Sequence, residues 1–290
     1  MFDNIFAAIE KWMRELLTGM VESNMSTMFT DVNEKTSEIA AQVGRTPQNW
    51  NSSVFSMIQN LSESVVVPIA GIIITLVLCY ELISMLTERN NLHDVDTWMF
   101  FKYFVKAWVA IYLVSNTFTI TMAVFDVGQS VVNSASGIIN GETAIDVSSL
   151  SMQMQAAMAT MEIGELVVLA LETFLVSFCM KIMSVVITVI VYGRMIEIYL
   201  YTSLAPIPFA TMSNREWGHV GINYFRGLFA LAFQAFLMMV CVAIYAALIS
   251  SVRISSNMHS ALIGVAAYTV ILCFSLMKTG SLSKQIFGSH

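Results

Sequence analysis

Apolar stretches long enough to cross a lipid bilayer recur along this chain and restrict its fold more than any other feature. We place five of them at Val65–Leu86, Phe100–Phe125, Leu166–Tyr192, Gly227–Ser250 and Ser260–Met277. Only helices and closed barrels satisfy their backbone polar groups inside lipid, and a helix needs about 20 apolar residues to cross. With 57% hydrophobic and 12% charged residues, the sequence predicts an all-α, polytopic (multi-pass) protein of the cell membrane.

Basic residues between these stretches predict their orientation. They fall between the first stretch and the start of the second, between the third and fourth, and near the end, as Arg89, Lys102, Lys106, Arg194, Arg215, Arg226, Lys278 and Lys284. Cytosolic loops carry an excess of Lys and Arg, so these regions should be cytosolic. No Lys or Arg occurs between Lys106 and Lys181, which places the loop 126–165 outside. The expected topology is N-out and C-in, with residues 281–290 as a cytosolic tail.

The N-terminal region, residues 1–62, is expected outside the membrane and in helical form. Apolar residues recur at three- and four-residue spacing over Phe2–Met20 and again over Val21–Val43, which predicts amphipathic helices. Thr46 followed by Pro47 predicts a cap and a first-turn proline for the next helix. Two interpretations stay open: a hairpin packed on its own membrane domain, or a docking surface for a partner or the bilayer interface.

The transmembrane domain, residues 63–280, contains the external loop as a separate feature. Ser130–Gly141 is rich in small and polar residues and is expected to be irregular and exposed. Met154, Met158 and Met161 then form an apolar stripe before the third span. The stripe predicts either the start of an interfacial helix or a contact with an extracellular partner.

The run Ser203–Gln234 interrupts the apolar second half of the chain with cyclic, polar and charged residues. Pro206 and Pro208 cannot both lie inside one regular helix without loss of backbone hydrogen bonds, and each pushes its preceding residue toward an extended conformation. We therefore predict that a helix ends near Ala205. Residues 194–226 would form a cytosolic connector that is either re-entrant or lies on the bilayer surface.

The polar part of this connector predicts a new helix start. Thr211 or Ser213 is placed to cap a new turn, with Glu216 in the capping-box position after Ser213. Groups that favour a membrane surface accompany it, namely Arg215, Trp217, Tyr224 and Arg226. These groups would either anchor the connector at the lipid surface or dock a cytosolic ATPase or a neighbouring subunit, and both interpretations stay open.

A competing topology makes Met195–Met212 a sixth span. The segment is apolar, but it contains Glu197 and two prolines and begins beside Arg194. A sixth span would also move Arg215 outside and reverse the charge pattern downstream. The five-span arrangement is therefore the expected one.

The connector sequences LAPIPFATMSNREWG and NYFRGLFALAFQ resemble the polytopic inner-membrane subunit of type IV secretion systems. This is the TrbL family, equivalent to the sixth VirB component, in the form carried by conjugative elements of Gram-positive bacteria. The resemblance is densest over Lys181–Ala247. It implies a membrane channel or scaffold subunit that helps to move a DNA-protein substrate, forms oligomers, and works with other secretion subunits that include cytosolic ATPases.

No motif for catalysis, cofactor binding or metal binding stands out, so we do not expect an enzyme. The four histidines lie in separate segments without paired ligand spacing, and neither a phosphate-binding glycine loop nor a nucleophile elbow occurs. Asp96 is expected to cap the second span. All cysteines fall in apolar spans and are expected to be free thiols, namely Cys79, Cys179, Cys241 and Cys273.

Polar residues inside the predicted spans are costly and need a partner or water. Glu81 and Lys181 lie at similar depth when counted from the outer ends of their spans, which predicts an interhelical ion pair. Alternatively, Lys181 snorkels to the cytosolic surface. A third interpretation lines a polar conduit with Lys181 and Gln234.

Two functions of different classes remain. One is the secretion-system subunit, in which contact with the DNA-protein substrate would be local, because a net charge of -6 with 14 Lys and Arg does not predict an extended nucleic-acid surface. The other is a small-solute transporter or channel. Transporters commonly show two related halves, whereas five spans without an internal repeat cannot be divided evenly, so the first function is favoured.

Overall fold

The computed structural model describes residues 2–87, 97–139, 147–252 and 258–289. Within those ranges 92% of the residues are helical, and no strand occurs there. The helices are α1 Phe2–Val43, α2 Pro47–Trp50, α3 Ser52–Leu61, α4 Val67–Thr87, α5 Thr97–Ser115, α6 Thr117–Ile139, α7 Val147–Met158, α8 Ile163–Ser203, α9 Pro206–Thr211, α10 Gly218–Ser250 and α11 Met258–Phe287. A π-helical turn, Ser62–Val66, joins α3 to α4.

Five helices in the described part of the chain are long and apolar enough to cross a membrane. They are Ser52–Thr87, Thr97–Ser115, Ile163–Ser203, Gly218–Ser250 and Met258–Phe287. This confirms the predicted polytopic all-α class. The helices extend beyond the predicted spans because their polar ends continue the same hydrogen-bonded backbone, which hydropathy does not detect. The orientation of the spans stays a prediction.

The second predicted span and the loop after it differ from the expected form. Phe100–Phe125 is divided between α5 and α6 at Asn116, whose side-chain amide donates to the Tyr112 carbonyl at 2.9 Å. Such a bond competes with the regular backbone pattern. Residues 130–139, expected to be irregular, continue α6. Their small polar side chains are tolerated in a helix, so composition alone misassigned them.

The N-terminal region begins with one continuous helix, α1, in place of separate amphipathic pieces. Its residues from Val21 to Val43 bury the predicted apolar stripe, while residues 5–12 are exposed. The chain then turns as predicted: the Thr46 hydroxyl accepts a hydrogen bond from the Asn49 amide at 3.3 Å, and Pro47 occupies the first turn of α2.

Two compact units divide the described chain. The first contains residues 1–43, 134–191 and 238–278. In this unit α7 packs against α1, with Met154 and Met158 buried. These methionines fill the core of their own unit, which favours the plainer of the two interpretations of the methionine stripe.

The second unit contains residues 44–133, 192–237 and 279–290. Its core has three apolar clusters. One joins α4, α5 and α9, another joins α6, α8 and α10, and the third joins α3, α6 and α8. In this last cluster the Tyr199 hydroxyl also donates to the Pro47 carbonyl at 2.6 Å, so the turn before α2 is attached directly to α8.

Candidate functional site

The connector folds into the interior of the second unit. The helix α8 ends at Ser203, close to the predicted end, and Pro206 starts the short helix α9. Phe209 and Ala210 of α9 are buried against α4 and α5, where their neighbours include Ala70, Ile74, Ala110 and Val114. Proline suits the first helical position because its missing N–H needs no intrahelical partner there.

The connector was predicted either to be re-entrant or to lie on the bilayer surface, and the position of α9 along α4 distinguishes these two placements. Its contact with Ile74 lies roughly 20 Å along α4 from the end of that helix at Thr87, at 1.5 Å per residue. A helix lying on the bilayer surface would meet the end of a span. This position therefore favours the re-entrant alternative. Met195–Met212 is divided between α8 and α9, so the described residues contain no sixth spanning helix at this point.

The turn between α9 and α10 is capped by Asn214. Its buried side-chain oxygen accepts hydrogen bonds from the backbone amides of Glu216 at 2.7 Å and Trp217 at 3.0 Å. This corrects the expectation that Thr211 or Ser213 would cap the new turn. Asn is at least as good a cap as Ser or Thr. Asn214 stands directly before the turn, so its side chain reaches the free amides.

Glu216 and Trp217 attach the connector to the first span. The Tyr80 hydroxyl of α4 donates to the Glu216 carboxylate at 2.9 Å, and the rings of Tyr80 and Trp217 stack with centroids 6.0 Å apart. Glu216 therefore contacts a neighbouring helix, whereas a capping-box residue would return to its own N-cap. The two contacts place the exposed end of the connector on α4.

The predicted docking residues occupy an exposed surface. Trp217 is 45% exposed, and Arg215 and Arg226 are also exposed. Pro206 is buried and Pro208 is half-buried, so the prolines shape the backbone and are not part of that surface. Lipid head groups or a partner can reach this surface, and both interpretations of it stay predictions.

A tyrosine pair fixes where α10 leaves the connector. The rings of Tyr201 and Tyr224 stack with centroids 4.5 Å apart, and the Tyr224 hydroxyl donates to the Tyr201 carbonyl at 2.6 Å. A Cβ atom at Gly227 would lie 2.2 Å from the Tyr201 hydroxyl, and one at Gly221 would lie 2.5 Å from the Pro208 carbonyl oxygen. Only glycine permits these approaches.

Glu81 has a different partner from the predicted one. Its carboxylate accepts from the Lys106 ammonium of α5, and the Glu81 side chain is 14% exposed. This corrects the predicted Glu81–Lys181 pair. Both partners lie within about three turns of the loop between α4 and α5, so antiparallel neighbours bring them together. The Lys181 side chain is exposed on α8, which agrees with the alternative in which it snorkels.

Three polar contacts join α8, α10 and α11, and one of them involves the buried Gln234. Its amide donates to the Thr279 hydroxyl at 3.5 Å, and its oxygen has no partner among the described residues. Arg194, 6% exposed, donates to the Leu231 carbonyl at 3.3 Å. Lys284 pairs with Glu197 at 3.1 Å. Gln234 is thus a buried polar residue that is hydrogen-bonded to α11, and the polar conduit with Lys181 stays a prediction.

Arg194 is the residue that sequence reasoning placed least well. It was counted as a loop cation, whereas the structure places it inside α8. The available signal was its spacing: Glu197 follows one turn later on an otherwise apolar helix. Tyr80 was also missed, because an interhelical stack has no local sequence signature. Asn214 was missed although its signal is local, since it lies two and three residues before the amides that it caps.

No metal-binding group of three or more His, Cys, Asp or Glu residues occurs in the part of the chain that the structure describes. His259 contacts the Glu172 carboxylate. All four cysteines are free thiols, as predicted. His93 and the predicted Asp96 cap lie outside the described residues.

These features define an all-helical, multi-pass membrane protein with polar groups held between its spanning helices. The chain belongs to the TrbL/VirB6 plasmid conjugal transfer like protein family, whose match covers residues 32–206. No curated protein and no solved structure matches the chain. The family confirms the resemblance, although the matched range ends at Pro206 and so includes only the first part of Lys181–Ala247, where the resemblance is densest.

Family membership makes the chain a component of conjugal transfer or type IV secretion that associates with other components of that machinery. The match contains the first three candidate spans entirely, since it covers residues 32–206 and the spans are Ser52–Thr87, Thr97–Ser115 and Ile163–Ser203. The likeness therefore resides in the membrane-spanning part of the chain.

Proposed function

We propose that this chain is a channel or scaffold subunit of a conjugative type IV secretion system and helps to move a DNA-protein substrate across the cell membrane. The observation that carries the proposal is the family match over residues 32–206, which coincides with three candidate spans. The sequence contains no phosphate-binding loop. We therefore assign the energy supply to separate cytosolic ATPases and no enzymatic activity to this chain.

The exposed surfaces of the spans support an oligomeric subunit. In the most apolar window of Thr97–Ser115, 11% of the residues are buried, against 56% in that of Gly218–Ser250. Large apolar side chains on α5, such as Phe104 and Trp108, are left uncovered. Lipid covers part of such a surface, and copies of the chain or other secretion subunits would cover the rest.

Deletion of the gene from donor cells tests the proposal. Transfer of the conjugative element should be abolished, and the intact chain supplied in trans should restore it, because a channel or scaffold subunit has no substitute in the machine. The measurement is transfer frequency per donor cell. Transfer that continues unchanged without the chain would contradict the proposal, and loss of uptake of a small solute in its place would favour a transporter.

The connector surface provides a second test. Arg215→Ala and Arg226→Ala should abolish transfer while the protein stays inserted and abundant, if these residues dock a cytosolic ATPase or a neighbouring subunit. Trp217→Ala alone is ambiguous, because Trp217 also stacks on Tyr80. Tyr80→Ala separates the two roles of the tryptophan, since it removes the stack and leaves Trp217 in place.

Val220→Ala is the matched control for the connector, because Val220 is exposed at the start of α10 and carries no charge. It should leave transfer unchanged. For each variant, both the transfer frequency and the crosslinking to the other secretion subunits are measured. Variants that transfer poorly but retain every crosslink would remove the docking interpretation and leave an anchor at the lipid surface.

A further inference from the structure

The helix α1 runs beside α8 over a distance that matches the thickness of a membrane. Three side-chain hydrogen bonds connect α1 to the segment from Met161 to Thr188, and the two segments run parallel. Arg14 donates to the Met161 carbonyl at 2.7 Å, Asn24 to the Thr173 hydroxyl at 3.5 Å, and Lys35 to the Thr188 hydroxyl at 3.1 Å. The stretch from Arg14 to Lys35 rises roughly 30 Å, about the thickness of the hydrocarbon core.

The two neighbouring helices expose opposite chemistry. On α8, all exposed side chains from Val167 to Val189 are apolar except Lys181. On α1, every exposed side chain between Val21 and Ile39 is polar, and the set follows helical spacing as Ser23, Ser26, Thr30, Glu34 and Ser37. We call these five residues the α1 stripe. Lipid can cover the surface of α8, but it cannot cover the α1 stripe at low cost.

The α1 stripe contains a charged side chain, Glu34, which requires contact with water. Glu34 is exposed, and a charged side chain is costly at the centre of a bilayer. The neighbouring Lys35 is compensated by contacts with Glu38 and Thr188. Glu34 and the hydroxyls of the α1 stripe point away from the packed side of α1, so a surrounding aqueous phase is what would solvate them.

A small pocket adjoins the same helix from behind. It lies between α1, α8, α10 and α11, and its walls combine polar and apolar side chains. Its polar lining comes from all four helices, as Asp31, Lys35, Thr36, Ser184, Tyr245 and Thr269. Tyr245 and Thr269 are hydrogen-bonded to each other at 2.9 Å. Polar side chains are thus found on the packed side of α1 as well, at the same height at which the exposed face of α8 is apolar.

We infer that α1 lies within the membrane beside α8 and that the α1 stripe lines a water-filled path shared with other copies of this chain. A single stripe cannot enclose water, and the exposed faces of α8 and α11 in this unit are mainly apolar. Further polar walls must come from another polypeptide, and a symmetric ring of identical chains brings identical α1 stripes together around one axis. The α1 stripe consists of hydroxyls with one carboxylate and no cation, which suits water and cations better than phosphate.

The inference rests on the proposed channel function, but its test does not require DNA transfer. Single cysteines are introduced as Ser26→Cys, Thr30→Cys and Ser37→Cys in a chain whose own cysteines are replaced by alanine. The matched controls are Leu175→Cys and Val185→Cys on the apolar face of α8, which lie between the levels of Asn24 and Lys35. A water-soluble, charged maleimide is applied to membranes that contain the full chain.

The α1 stripe should react at least about tenfold faster than the α8 controls, because the reactive thiolate forms in water and not in hydrocarbon. Oxidation or a short bifunctional maleimide should also join two copies through at least one of the three positions. Equal reaction of the α8 controls would show that this unit lies in water, and an unreactive α1 stripe would show that lipid or protein covers it. Either result overturns the inference.

A third result would overturn the shared path alone: reaction of the α1 stripe with no crosslink to another copy at any position. Failure of the proposed function is distinguishable from all of these, because it appears as unchanged transfer after gene deletion. The labelling pattern would stand in that case, since it reports where water lies and not what is transported.

Discussion

Lys106→Glu should prevent stable assembly of the protein, and the addition of Glu81→Lys should restore it. The single variant places two carboxylates together where Lys106 now contacts the largely buried Glu81. Breaking a fully buried ion pair typically costs about 3–5 kcal/mol. The Lys106 side chain is 40% exposed, so water lowers that cost here, while repulsion between the two carboxylates adds to it. The double variant restores opposite charges in the same place, so most of that loss should be recovered.

The exposed cation of α8 provides the matched control for this experiment. Lys181→Glu changes the same charge by the same amount but leaves Glu81 and Lys106 in contact, so it should leave assembly intact. The measurement is the yield of folded protein in detergent and its midpoint of thermal unfolding. If Lys181→Glu were the damaging variant, and Glu81→Lys restored it, the pairing inferred from depth alone would be correct and the one in the structure would be wrong.

Gly128→Ala should lower the thermal midpoint, whereas Gly71→Ala should leave it unchanged or raise it. A Cβ atom at Gly128 of α6 would lie 2.9 Å from the backbone oxygen of Ala232 on α10, which cannot move without the helix. Overpacking of this kind typically costs about 1–3 kcal/mol. Gly71 in α4 has nothing within 4 Å of the same atom, so there alanine brings only its better helix propensity.

The comparison of the two glycines isolates packing from backbone effects. Both substitutions add one methyl group to a helix, and both reduce the freedom of the unfolded chain by a similar amount. Opposite shifts in the unfolding midpoint therefore measure the contact between α6 and α10. Equal shifts would mean that the two helices separate easily, and the close approach at Ala232 would then contribute little to stability.

The sequence by itself determined that this chain is an all-α membrane protein with five spanning candidates. Lipid imposes this outcome, because a long apolar segment must satisfy its own backbone inside the bilayer, and a helix does so with local hydrogen bonds. The Thr46 cap and the end of α8 before Pro206 were predictable for the same reason. Each depends on groups a few residues apart, so a single sequence contains the whole interaction.

Only the tertiary structure decided which distant groups meet. Counting residues gave Glu81 and Lys181 a similar depth, but depth does not say which helices are neighbours, and the adjacent α5 supplies Lys106. Arg194 was assigned to a loop because its charge outweighed the helical pattern around it, yet a carbonyl of α10 accepts its hydrogen bond within the folded unit. Likewise, α1 has the amphipathic pattern of a surface helix, and only its contacts with α8 and with Met161 just before α8 place it beside a spanning candidate. Partner choice depends on helix packing, which is a property of the whole fold and has no local signature.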